Sequence, residues 1–184
     1  MVLIGLVAVA IVLALWAVSG YNALVTGRQN VDTAWSAVET QYQRRFDLIP
    51  NVVNSVKGSA AFEQQTLTDV TAARTQWQSG GSLENRVEAA TKLDSALGRL
   101  MVTVEAYPQL KSTEAFRDLI TELEGTENRV SVARLDYNNA VRDYNLTVRR
   151  FPGMILASVF GFQPEPGFEA ADGAETAPVV DFNG

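Results

Sequence analysis

The 184-residue chain contains no cysteine and no histidine. Without cysteine there is no disulfide framework, no thiolate metal site and no thiol nucleophile. Without histidine the Ser-His-Asp and Cys-His constellations, imidazole-ligated zinc or iron, and an imidazole pH switch are all excluded. Strong charge of one sign is also missing from most of the chain. All five charges after Gln163 are acidic (Glu165, Glu169, Asp172, Glu175 and Asp181), and the rest of the chain sets 15 basic residues against 16 acidic ones. Such a mixed body offers no basic face to displace counterions from phosphate, so a nucleic-acid partner is not expected.

What is present begins at the N-terminus. Every residue from Val2 to Val18 is apolar or glycine, and no charged side chain appears before Arg28. A hydrocarbon core is crossed by about 20 such residues, and Trp16 and Tyr21 fall where amphipathic rings favour the membrane interface. A cleaved signal peptide is the rival reading. The run lacks a basic n-region, is long for an h-region and is followed by poor small-x-small cleavage sites, so residues 1–27 are read as an uncleaved single-pass anchor in a bilayer. Arg28, Arg44, Arg45 and Lys57 all follow the span, which by the positive-inside rule leans towards an outside N-terminus and a cytoplasmic body.

Beyond the anchor, apolar residues recur at steps of three and four: Val31, Trp35, Val38, Tyr42, Phe46, Ile49, Val53, Val56 and Ala60, then Leu67, Val70 and Trp77. This is a helix with one buried stripe, either kinked or broken at Pro50 and ended by Ser79-Gly80-Gly81. A second helix runs from an N-cap at Ser82 through Leu83, Val87, Ala90, Leu93, Leu97, Leu100 and Val104 to Tyr107-Pro108. A third starts near Ser112 and Thr113 and carries Phe116, Leu119, Leu123, Val130, Tyr137, Val141, Tyr144 and Val148 up to Phe151-Pro152. No segment shows sustained two-residue alternation. The expected fold is all-α: a transmembrane helix, an antiparallel up-and-down bundle of long helices over residues 28–162, and a flexible acidic tail over 163–184. Residues 151–162 are apolar and uncharged but too short to span a bilayer, so they either cap the bundle or lie against the membrane surface.

The stripes have polar exceptions. Glu63 follows Ala60 in register, and Glu127 and Arg134 stand between Leu123, Val130 and Tyr137. Asp136-Tyr137-Asn138 recurs seven residues later as Asp143-Tyr144-Asn145, which sets Asn138 and Asn145 in a row beside two tyrosines. Ionised groups inside a bundle need partners, so a structural polar layer of Glu63, Arg74, Glu105, Glu127, Arg134 and Asn138 is expected to fix helix register. Inward carboxylates could also suggest a di-iron centre, but that arrangement uses Glu-x-x-His pairs and there is no histidine here. No catalytic residue, metal or cofactor is therefore assigned. The row of Tyr137, Asn138, Tyr144 and Asn145 is a candidate interaction surface.

Taken in order, the apolar anchor, Tyr21-Asn22, Arg45-Phe46-Asp47-Leu48-Ile49-Pro50-Asn51, Glu63, Ala73-Arg74, Glu105-Ala106-Tyr107-Pro108, Glu127-Asn128, Ala133-Arg134, Tyr137-Asn138, Tyr144-Asn145, Phe151-Pro152 and the closing Pro178-Val179-Val180-Asp181-Phe182 resemble the bacterial LemA family. The resemblance covers nearly the whole chain. It implies a single-pass protein of the bacterial inner membrane with a helical-bundle domain and no established enzymatic activity. Two functional readings follow. One is an oligomeric scaffold that packs with copies of itself or with another envelope protein. The other is a membrane-anchored ligand or peptide receptor, or an adaptor for a membrane protease, with the tyrosine and asparagine row lining an open groove.

Overall fold

The computed structural model describes residues 1–57, 64–105 and 114–169. Its elements are α1 (Val2–Lys57), α2 (Gln64–Gln78), α3 (Leu83–Glu105), α4 (Glu114–Arg149) and α5 (Gly153–Phe160). Among the described residues there is no strand.

The 56 residues of α1 would reach about 84 Å at 1.5 Å per residue. Its first turns serve a different purpose from the rest. Residues 1–15 are all exposed, and α1 as a whole is long enough, and near its N-terminus apolar enough, to cross a membrane. From Leu24 onward the same rod buries Val31, Trp35, Val38, Tyr42, Phe46, Ile49 and Val52 in the core. Pro50 neither ends nor divides the helix. After it the stripe takes a three-residue step from Ile49 to Val52, while the side chains of Val53, Val56, Ala60 and Leu67 lie outside the described residues.

The ring of Trp77, near the end of α2, lies 4.7 Å from that of Tyr42 and 5.7 Å from those of Trp35 and Phe46. The chain has therefore turned back along α1 by this point, and it does not do so at Pro50, which α1 passes without a break. α2 packs on α3, and α1 packs along α4. The Ser82 hydroxyl accepts a hydrogen bond from the Asn85 amide at 3.3 Å, which makes it the N-cap of α3. The end of that helix at Tyr107-Pro108, the start of the next near Ser112 and Thr113, and Pro178 to Phe182 lie outside the described residues.

α4 buries Phe116, Leu123, Val130, Tyr137 and Tyr144 at strict seven-residue intervals. Between these landmarks the helix can bury either the third or the fourth residue. It buries Thr126 and Ala133 after three, but Val141 and Val148 after four. Glu127 and Arg134 are therefore displaced from the middle of the seam to its edge. Thr126 remains compatible with burial because its hydroxyl donates to the Leu123 carbonyl at 2.6 Å.

The packed body extends beyond residue 162. Gly161 closes α5 in the left-handed conformation, with φ of 77°, and residues 162–169 then return across α1 and α4 with Phe168 buried. The flexible tail expected from Gln163 is thus replaced, as far as Glu169, by a strap fastened to the bundle.

Candidate functional site

Two polar clusters lie along the α1–α4 seam. In the first, Arg45 of α1 is the centre and is buried, with only 5% of its side chain exposed. It donates to Asp94 Oδ1 of α3 at 2.8 Å and also to Glu127 of α4. The Tyr42 hydroxyl donates to Asp94 Oδ2 at 2.7 Å, and Arg134 reaches both that oxygen and the Tyr42 hydroxyl. One carboxylate thus joins residues from three helices.

Burial raises the Asp94 carboxyl above 3.8, against the opposing pull of Arg134, then of the Tyr42 hydroxyl and Arg45. Burial is likewise the main reason that the Tyr42 phenol is raised, with the Asp94 charge adding to it. Both carboxylate oxygens already accept hydrogen bonds or ion pairs from the protein, so neither is presented to a substrate. The adjoining cleft between Arg45, Asp94, Gly98, Met101 and Glu127 is about 230 Å³. That is smaller than the roughly 300–1,000 Å³ of ordinary small-molecule pockets. What this cluster can do is lock three helices in register.

The expected polar layer is thus partly relocated. Arg134 belongs to it, but Glu127 sits at its rim with 51% of its side chain exposed. Asn138 belongs to the second cluster. Arg74 is half-buried on α2 with its Nε buried and lacking an acceptor, and it joins neither cluster among the described residues. Glu63 and the Glu105 side chain lie outside the described residues. Periodicity alone does not single out Arg45 and Asp94. Each follows or precedes a stripe residue by one (Phe46 and Leu93), so a search for charges in register passes them by. The signal available was that each also stands three or four residues from further stripe members: Tyr42 and Ile49 for Arg45, Ala90 and Leu97 for Asp94.

The second cluster holds the strap. Asn138 donates from its amide nitrogen to the Phe168 carbonyl at 3.0 Å and accepts from the Phe168 amide at 2.8 Å. Asn145 repeats this with Glu165, at 2.8 Å in both directions. The Tyr137 hydroxyl donates to the Pro166 carbonyl at 2.6 Å, and Arg28 of α1 is ion-paired with Glu165. Phe168 stacks on Trp35 at 6.1 Å, meets Tyr137 edge-on at 5.6 Å and lies under the Arg134 guanidinium, 4.3 Å from its ring centre.

Arg134 therefore links the two clusters. Burial pushes the Tyr137 phenol up to about 12 and raises that of Tyr144 as well. The two rings are 0% and 2% exposed, with Tyr137 packed edge-on against Trp35 at 5.3 Å. Tyr137, Asn138 and Asn145 line a groove filled by the chain's own residues 165–168, whereas Tyr144 packs on Gly27 of α1 beside a separate cleft. With the strap in place, Tyr137, Asn138 and Asn145 are closed to an outside ligand.

The LemA family model matches residues 34–182, a segment that contains the strap and, apart from Arg28, both clusters. The chain belongs to the LemA family. Among relatives, it is 28% identical over 186 aligned positions to magnetosome protein MamQ 2 of Paramagnetospirillum magneticum, with 87% of this chain and 68% of that protein covered. Magnetosome protein MamQ of Magnetospirillum gryphiswaldense is 26% identical over the same coverage. Protein LemA of Metamycoplasma hominis is 24% identical over 131 positions, covering 71% of this chain and 60% of that protein. The uncovered apolar N-terminal helix and these relatives make this LemA-family chain a membrane-associated protein.

Proposed function

We propose that this LemA-family chain is a non-enzymatic scaffold of the bacterial inner membrane, whose bundle packs laterally with copies of itself or with another envelope protein. The observation that carries the reading is the continuity of α1 from its exposed apolar start to Val52 in the core. A rod shared by span and core passes a tilt or rotation of one to the other, which suits a protein that organises a membrane patch. Val132 and Leu135 of α4, three residues apart and each 60% exposed, supply an apolar place for lateral contact. The arginines that follow the span favour a cytoplasmic bundle. The test is the mass and symmetry of the intact protein in mild detergent or native lipid. A defined assembly is expected, and a strict monomer at every concentration would overturn the proposal.

One observation favours a second reading, a peptide adaptor. Asn138 and Asn145 bind backbone atoms rather than side chains, a mode of recognition that a partner's extended segment could satisfy. A synthetic peptide of residues 162–169 should then bind a Phe168→Ala chain whose own strap is loosened. Absence of binding would remove this reading.

A further inference from the structure

The short helix α5 is covered on one side only. Leu156 and Ala157 are buried, whereas Met154, Ile155, Val159 and Phe160 are between 47% and 71% exposed and the preceding Phe151 is 78% exposed. No charged residue occurs from Phe151 to Pro164, although exposed Arg149 and Arg150 come immediately before. An apolar cluster of this kind on a soluble surface signals something that covers it.

Its place on α1 identifies the cover. The Leu156 side chain fills the space above Gly20, where a Cβ would come within 2.3 Å of Leu156 Cδ1. The Tyr21 ring meets those of Phe160 and Phe162 edge-on at 4.9 and 5.9 Å. A hydrocarbon core of about 30 Å takes up about 20 residues of helix at 1.5 Å each. The unbroken apolar run of α1 ends at Val18 and is followed by Ser19, Tyr21 and Asn22, so α5 is fastened to the turn at which α1 leaves the hydrocarbon. The exposed face of α5 is continuous there with the uncovered apolar surface of the span.

We propose that α5 is a second membrane contact, embedded in the interface of the same bilayer that α1 crosses. Phe151, Met154, Ile155, Val159 and Phe160 enter the acyl boundary while Arg149 and Arg150 reach the lipid phosphates. Two attachments, one across the bilayer and one on its surface, fix how the bundle leans. The strap begins directly after α5, so its position is tied to the membrane as well. This goes beyond the scaffold reading and does not depend on it.

Because the chain has no cysteine, single spin labels can be introduced without other substitutions. Full-length Val159→Cys, Leu13→Cys and Leu135→Cys variants are labelled and placed one copy per nanodisc of phosphatidylcholine with phosphatidylglycerol. Accessibility to oxygen is then compared with accessibility to a water-soluble nickel complex. The expected result is an oxygen-favoured label at position 159, as at position 13, with the ratio reversed at position 135. A nickel-favoured label at 159 overturns the proposal by placing α5 in water. A label shielded from both reagents overturns it by showing that protein covers α5. A nickel-favoured label at 13 overturns it at its premise, the membrane span itself.

Discussion

The two clusters along the α1–α4 seam use opposite chemistry. Around Arg45 and Asp94, charged groups from three helices satisfy one another, and a buried ion left without its partner is penalised heavily. Around Asn138 and Asn145, neutral amides satisfy backbone groups that any residue except proline presents in full. The first arrangement discriminates between helices, because only an opposite charge at one position will serve. The second discriminates between backbone shapes and depends on sequence chiefly through the Phe168 ring and the Arg28–Glu165 ion pair. The bundle is thus specified by charge, whereas the strap is held by geometry, which makes the strap the easier part to release.

The largest effect should come from breaking the charged side of this contrast. Arg45→Met leaves Asp94 with Arg134 as its remaining cation and Glu127 with none among the described residues, and is expected to cost about 3 kcal/mol. Thermal unfolding in detergent followed by circular dichroism would show it. Adding Asp94→Leu should not restore the loss, because Arg134 and the buried Tyr42 hydroxyl would then lose the carboxylate they share. A single variant as stable as the parent would mean that the cluster is not what holds the three helices.

Phe168→Ala should cost about 2 kcal/mol, less than a fully enclosed phenylalanine, because it removes the strap's buried ring while leaving the bundle intact. Limited proteolysis is expected to cut within residues 163–169 with no loss of helicity; loss of both together would show that strap and bundle unfold as one unit. Asn138→Ala should cost about 1 kcal/mol. Amide exchange should accelerate at Phe168, while Glu165 keeps its protection from Asn145.

The smallest effect at neutral pH is expected from Tyr137→Phe, whose consequence emerges in alkali. The folded phenol ionises at about 12 against an ordinary 10.0, so its contribution is fully present below pH 10 and is lost as pH rises through 12. The phenolate cannot donate to the Pro166 carbonyl. Strap release monitored by proteolysis should show that alkaline transition in the parent, and the phenylalanine variant should lack it. A transition unchanged by the substitution would assign it to another group.

Much of this architecture was legible from local pattern. The anchor announces itself by seventeen apolar or glycine residues in succession, from Val2 to Val18, and the Ser82 cap and the heptad from Phe116 to Tyr144 by spacing. Arg134 and Asn138 were legible as exceptions to a stripe. Glu127 was legible as an exception but not as a rim residue, since a seven-residue interval divides equally well as three and four or as four and three. Packing against α1 chose Thr126 instead.

The strap was illegible for a different reason. Gln163 to Glu169 has the proline, glycine and acid content of a tail, and what holds it lies 20 to 30 residues away in sequence. The sequence by itself determined the helices, their buried faces and the apolar span, because helix periodicity and hydrophobic burial act over neighbouring residues. Only the tertiary structure decided that Asp94 would bind Arg45, and that the asparagine row would hold the chain's own backbone. Pairings of that kind depend on which surfaces meet after the chain has folded back, and no spacing along the chain encodes them.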